Sequence, residues 1–391
     1  MPRSAINRRE CLASAAALAT TVLFGTSLRA ESADLPRAAL FPDEQVVIGG
    51  GFPALTLFRR GAPSKPLVLF IPGGGHLARI YYGHPQARPE DFLFTHLSRA
   101  GFSTLALSYP TSHPALNRPV PGMTIAQWAQ SSAAIATAYI DREKLAARVI
   151  VLGWSLGGRV ARDIAVAFRE LKIDLELFVG LSAAPPMPGF GSLQPSALVL
   201  TREGLRDDSS AQSTIFKSRE AQLAVIDRIN GRVVIERDAY ARLYVADSPI
   251  NFRGEPERYT DHGLTSDLAT AIADQGTFDF ASYPLCGVIA AGGPSDARSA
   301  LTSAAAWGML NTQALYFQMI KPVLDAREPA PQKWTAIRAL MDSLIARLSR
   351  HVDGSHFFFV GEIGAAAVAR HVQELVGEAA AIRRELSTLL A

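Results

Sequence analysis

Residues 148–168, reading RVIVLGWSLGGRVARDIAVAF, constrain this chain more than any other stretch. The apolar run 149–152 reads as a strand, while Val160, Ile164 and Phe168 recur at i, i+4 and i+8, one side of a helix. Between the two lies Gly153-Trp154-Ser155-Leu156-Gly157, so the serine sits at a strand-to-helix corner. A side chain held at so sharp a corner crowds the positions two residues to either side. Glycine at 153 and 157 removes the Cβ atoms that would clash, and Gly158 lets the helix approach the sheet. The Ser155 hydroxyl would face the helix N-terminus, where unpaired N–H groups, beginning with that of Leu156, suit a developing negative charge. A serine that merely shapes a turn is the plain alternative. The strand before it and the amphipathic helix after it favour a nucleophile.

The rest of the chain repeats this rhythm. Apolar runs at 67–71, 104–107, 175–181 and 285–290 read as strands, and residues 89–100, closed by Gly101, and 124–138 read as helices. Residues 45–48 and 54–58 flank three glycines and predict a hairpin. Strands alternating with helices specify an α/β fold, with a mostly parallel central sheet and helices on both faces. Between 187 and 280 the alternation breaks. Arg202, Glu203, Arg206, Asp207 and Asp208 cluster there, and 232–235 looks like an isolated strand. A segment that long is better read as an inserted cap or lid than as a loop.

The first thirty residues stand apart. Arg8-Arg9, an uncharged alanine-rich run over 13–25 and Ala30 before a cut are expected to form a twin-arginine-type signal peptide. The apolar run is short for a membrane span of about twenty residues. The expected partner is therefore the twin-arginine export machinery and the expected location periplasmic or secreted, with no stable membrane span in the mature chain, residues 31–391. Residues 1–30 hold four of the 39 basic residues and one of the 36 acidic ones, so the remainder balances to zero net charge. That balance offers no basic field for nucleic acid. Cys286 is the only thiol after residue 30, and it lies in an apolar run that suits a buried core cysteine.

A serine hydroxyl needs a base to take its proton, and the base needs a partner to hold its tautomer. Among the eight histidines, His356 occupies a loop, Asp353-Gly354-Ser355-His356-Phe357, just ahead of a terminal helix. His351 reads as the end of a helical run, and His371 as a solvated helix position beside Glu374. Three places offer the acid. Asp296 follows the strand at 285–290, at the edge where reactive groups of open α/β sheets collect; Asp325 and Asp207 or Asp208 are the alternatives. Pro72-Gly73-Gly74-Gly75-His76 resembles a glycine-rich loop that lends a backbone N–H to an oxyanion, with Gly74 the expected donor and Gly75 adjacent.

Ser155, the glycine loop and the order Ser, Asp, His resemble the α/β-hydrolase family over most of residues 31–391 outside the cap. The family's esterases and lipases often place a histidine before the glycines, where this chain has Pro72. The resemblance implies a serine hydrolase acting on a small-molecule acyl ester. Ser155 would be the nucleophile, His356 the base, Asp296 its partner, and Leu156 and Gly74 the oxyanion donors, with no metal and no organic cofactor required. Thioesters, amides or short polyesters are alternative substrates for the same site. A binding protein on the same fold with a silent site is the alternative of another class.

Overall fold

The structure is a computed structural model that describes residues 40–190, 198–210 and 214–391. The runs expected as strands over 45–48, 54–58, 67–71, 104–107, 149–152, 175–181 and 285–290 each become one, and three short segments with few apolar residues join them. In chain order these are β1 (Glu44–Gly49), β2 (Phe52–Arg59), β3 (Leu67–Ile71), β4 (Ser103–Ser108), β5 (Arg148–Trp154), β6 (Asp174–Leu181), β7 (Glu257–Thr260), β8 (Gly263–Ser266), β9 (Cys286–Ala291) and β10 (Ser349–Val352). The helices are α1 (Leu93–Arg99), α2 (Ile125–Glu143), α3 (Ala161–Glu170), α4 (Thr214–Asn230), α5 (Arg237–Leu243), α6 (Leu268–Asp274), α7 (Ala297–Leu315), α8 (Lys321–Ala326), α9 (Pro331–Leu348) and α10 (Glu362–Leu390).

Eight strands form one sheet in the order β1-β2-β4-β3-β5-β6-β9-β10. β2 runs against both its neighbours, β1 and β4, and every other pairing in this sheet is parallel. Successive side chains leave a strand on opposite faces, so a continuous apolar run needs cover on both. Val68, Phe70, Ile150 and Leu152 pack with α1, α9 and α10 on one side. Leu67, Leu69, Val149 and Val151 pack with α2, α3 and α7 on the other. The chain thus has the α/β-hydrolase fold, a mostly parallel sheet with helices on both faces. No helix among the described residues is long and apolar enough to cross a membrane.

Three local expectations need correction. Residues 232–235 form no strand: Val234 and Ile235 are buried, but the Val234 N–H donates to the Asp227 carboxylate at 2.8 Å, so a side chain does the work of a ladder. The helix expected over 89–100 starts only at Leu93, after one 3-10 turn at Pro89–Asp91. His351 lies on β10 rather than on a helix, because α9 ends at Leu348.

Just past the corner, α3 carries a buried acid. Oδ1 of Asp163 lies 2.6 Å from Arg162 Nη1, while Oδ2 has no hydrogen-bond partner among the described residues. Burial pushes this carboxyl up to about 6, against the opposing pull of Arg162. A carboxyl raised in the folded state binds more protons folded than unfolded between its ordinary value and about 6, so stability falls as pH rises through that window. Asp163→Asn is therefore expected to be more stable than the parent by about 1–3 kcal/mol at pH 8, an advantage that vanishes near pH 3.5. Urea unfolding at the two pH values measures it; equal gains at both would contradict the assignment.

Candidate active site

β3 and β5 are parallel neighbours with Ile71 opposite Gly153, so both strands finish level and their loops meet at the carboxyl edge of the sheet. The chain reverses at Ser155, whose φ of 52° is left-handed, a conformation that costs an L-residue roughly 1–2 kcal/mol. A Cβ on Gly157 would lie 2.7 Å from the Ile71 carbonyl oxygen, and one on Gly153 would lie 2.6 Å from the Phe178 ring. Neither position admits a side chain. One 3-10 turn, Ser155–Val160, then leads into α3. Val160, Ile164 and Phe168 are all buried, the face expected from their spacing.

The glycine loop after β3 presses against this corner. A Cβ on Gly73 would stand 2.8 Å from that of Ser155, and one on Gly74 would stand 2.6 Å from Leu156 Cδ1 and 2.8 Å from Arg206 Nη2. Ser155, Leu156 and Gly74 line one cavity of about 360 Å³. Arg219 Nη2 donates to the Gly74 carbonyl at 2.8 Å, and the Tyr109 hydroxyl both donates to the Gly73 carbonyl and accepts from the His76 N–H. His76 is buried with its Nε2 2.8 Å from the Tyr240 hydroxyl. Burial, and after it the charge of Arg219, hold this imidazole well below its ordinary value, so it is neutral.

His356 and Asp296 come together from the far side. β9 and β10 pair in parallel with Ala291 opposite Val352, so the loops that follow them leave side by side. His356 Nδ1 lies 2.8 Å from Asp296 Oδ2, with the ring 22% and the carboxylate 14% exposed. Burial pushes the Asp296 carboxyl up, yet hydrogen bonds from His356, Ser182 and Ser299 and the charge of His356 outweigh it and leave the group below its ordinary value. An ionised carboxylate only accepts, so Nδ1 must donate. In the neutral ring Nε2 then carries the free lone pair. His356 and Asp296 line the same cavity as Ser155. Among the described residues no hydrogen bond joins the Ser155 hydroxyl to the His356 ring. In sites of this kind that contact is commonly long until substrate closes on it.

The other candidates lie elsewhere. Asp325 is exposed on α8 and pairs with Lys321. Asp207 accepts from the Ser210 N–H, and Asp208 is buried between Arg206 and Arg219. His371 pairs with Glu374 on α10. Cys286 is buried on β9, and burial pushes its thiol up. The described residues hold no group of three or more His, Cys, Asp or Glu placed to bind a metal ion.

Sequence reasoning missed the groups that hold the His356 loop in place. Trp154 Nε1 donates to the His356 carbonyl at 3.0 Å, and the Gln222 side-chain oxygen accepts from the His356 N–H at 3.1 Å. Trp154 was visible as the residue before the serine; Gln222 and Ser182 carry no local signal.

No protein-family model matches the chain, and no curated protein matches it. Among solved structures it is similar to a thermophilic esterase from Thermogutta terrifontis, at 13% identity and a TM-score of 0.45, over 86% of this chain and 99% of that one. It is similar to a membrane phospholipase A described as a bacterial virulence factor, at 13% identity and 0.44, over 87% and 86%. A thioesterase domain from the curacin biosynthetic pathway follows at 13% and 0.36, over 84% and 98%.

Proposed function

We propose that this chain is a serine hydrolase that cleaves carboxylic esters through an acyl-enzyme. The reading is carried by one observation: a serine strained at a strand-to-helix corner shares a cavity with a hydrogen-bonded His356–Asp296 pair. Nε2 of His356 takes the Ser155 proton as Oγ attacks the carbonyl carbon. The N–H groups of Leu156 and Gly74 hold the resulting oxyanion. As the tetrahedral species collapses, the C–O bond to the alcohol breaks, and the imidazolium returns its proton to the departing oxygen. A water deprotonated by His356 then attacks the acyl-enzyme, and Ser155 leaves with the proton. Asp296 keeps Nδ1 protonated throughout and stabilises the imidazolium.

The direct test is covalent labelling by a fluorophosphonate together with hydrolysis of a short p-nitrophenyl ester. A folded protein that does neither would instead favour a binding role on this fold.

Export is a separate proposal, resting on Arg8 and Arg9, which lie outside the described residues. Replacing both with Lys is expected to keep the full-length chain in the cytoplasm; fractionation that finds it exported as before would refute the twin-arginine signal.

A further inference from the structure

The cavity beside Ser155 has an uneven distribution of charge. Arg206, Arg219, Arg253 and Arg298 all line it, whereas Asp296 is the only carboxylate that does among the described residues, and it is engaged by His356. The acids that pair with Arg206, Arg219 and Arg253 stand behind the wall. Asp208 takes the Arg206 fork through Nε at 2.9 Å and Nη2 at 2.8 Å, and it also meets Arg219 Nη2 at 3.2 Å. Glu257 pairs with Arg253 at 3.1 Å. Asp247 holds the Asp208 and Ser209 N–H groups, and like Asp208 and Glu257 it lines no part of the cavity.

The side chains of Arg206, Arg219 and Arg253 are only 7%, 12% and 3% exposed. Buried cations persist where they are paired, as these are, and a low-dielectric cleft whose lining carries an excess of one sign focuses that field inward. Burial and the nearby charge of Arg206 lower the Arg253 guanidinium from its ordinary value, the mark of two cations held close together. Two of the four also touch the glycine loop. Arg219 donates to the Gly74 carbonyl, and Arg206 Nη2 stands 2.8 Å from where a Gly74 Cβ would be. An anionic group gripped there would share the cavity with a carbonyl placed against Ser155, and with Nε and Nη2 of Arg206 already on Asp208, its carboxylate or phosphate oxygens would meet the summed charge of the wall rather than an open fork.

We propose that the substrate is an ester bearing one anionic oxygen group, a carboxylate or a phosphate, which the Arg206, Arg219 and Arg253 wall binds while the ester carbonyl meets Ser155. The proposal deepens the hydrolase reading and rests on it. It supplies a substrate class that neither the corner nor the histidine loop names.

Binding to Ser155→Ala tests it without turnover. Three anionic probes are titrated calorimetrically beside neutral counterparts of equal length: monomethyl glutarate against dimethyl glutarate, 3-acetoxypropionate against its methyl ester, and 2-acetoxyethyl phosphate against its dimethyl ester. At least one anionic member is expected to bind ten-fold or more tightly than its counterpart, and its advantage is expected to shrink as salt rises from about 20 to 200 mM. The winning pair reports whether the charge sits on the acyl or the alcohol side, and whether it is carboxylate or phosphate. Equal or tighter binding by the neutral member of every pair overturns the proposal and leaves the arginines as supports of the glycine loop. Arg206→Gln is expected to reduce the anionic-to-neutral ratio; because Arg206 supplies two of the four contacts to the Asp208 carboxylate, the others coming from Arg219 and Ser248, the unaltered wall remains the deciding measurement. Fluorophosphonate labelling of the parent chain reports on the hydrolase reading separately, so the two failures are distinguishable.

Discussion

Ser155→Ala is expected to lose fluorophosphonate labelling completely and to lower turnover of a p-nitrophenyl ester by about 10⁴- to 10⁶-fold. The scale follows from what the hydroxyl does. Without Oγ no acyl-enzyme forms, and only the residual effect of binding and of the oxyanion donors is left. Stability should barely move. Alanine keeps the Cβ, so the left-handed backbone at 155 carries the same strain before and after the change. The measurement therefore pairs a rate with a thermal unfolding midpoint. A variant that stays folded and still hydrolyses the ester near the parent rate would remove Ser155 from the chemistry. Joint loss of rate and fold would instead reveal a structural serine.

The corner was legible because its requirements are local. A strand, two glycines and a helix in direct succession over residues 148–168 leave few other conformations, and the Cβ positions on Gly153 and Gly157 show that steric exclusion enforces the pattern. The face formed by Val160, Ile164 and Phe168 was legible for the same reason. Asp296 could be named only as one acid among several, because its partnership with His356 depends on β9 and β10 lying side by side. β10 gives little warning of itself: Ser-Arg-His-Val is four residues with a single apolar one, and α9 runs directly into it.

The arginine wall was less legible still. Arg202 to Asp208 stood out only as a charged cluster in the inserted segment, with Asp207 or Asp208 as a candidate acid. Arg206 is buried because Asp208, two residues on, turns it toward the glycine loop, and Arg219 arrives from α4 to share the same carboxylate. Periodicity cannot report a convergence of that kind. It arises where a loop, a helix and the end of a strand meet over the carboxyl edge of the sheet, the place where open α/β folds collect ligands.

Asp296→Asn is expected to lower turnover by about 10⁴-fold while changing little else. The carboxylate can only accept, so it forces the His356 proton onto Nδ1 and leaves Nε2 free toward the cavity. An asparagine amide can donate instead, which moves the ring proton to Nε2 and presents Ser155 with a donor where a base is needed. The side chain keeps its shape, and the amide oxygen can still accept a hydrogen bond where the carboxylate did. The unfolding midpoint should therefore stay within a few degrees of the parent. Asp325→Asn and Asp207→Asn supply the contrast. Asp325 is exposed beside Lys321, and among the described residues the Asp207 carboxylate holds only the Ser210 N–H, so each should retain turnover within about two-fold, the scale of a surface pair. Asp208→Asn is a poor comparison, because it withdraws the charge shared by two buried arginines and is expected to destabilise the chain by about 3–5 kcal/mol. Should the Asp296 variant turn over normally while Asp325→Asn or Asp207→Asn is the one that fails, the imidazole must swing to a different acid during catalysis, and the β9–β10 edge would lose its place in the mechanism.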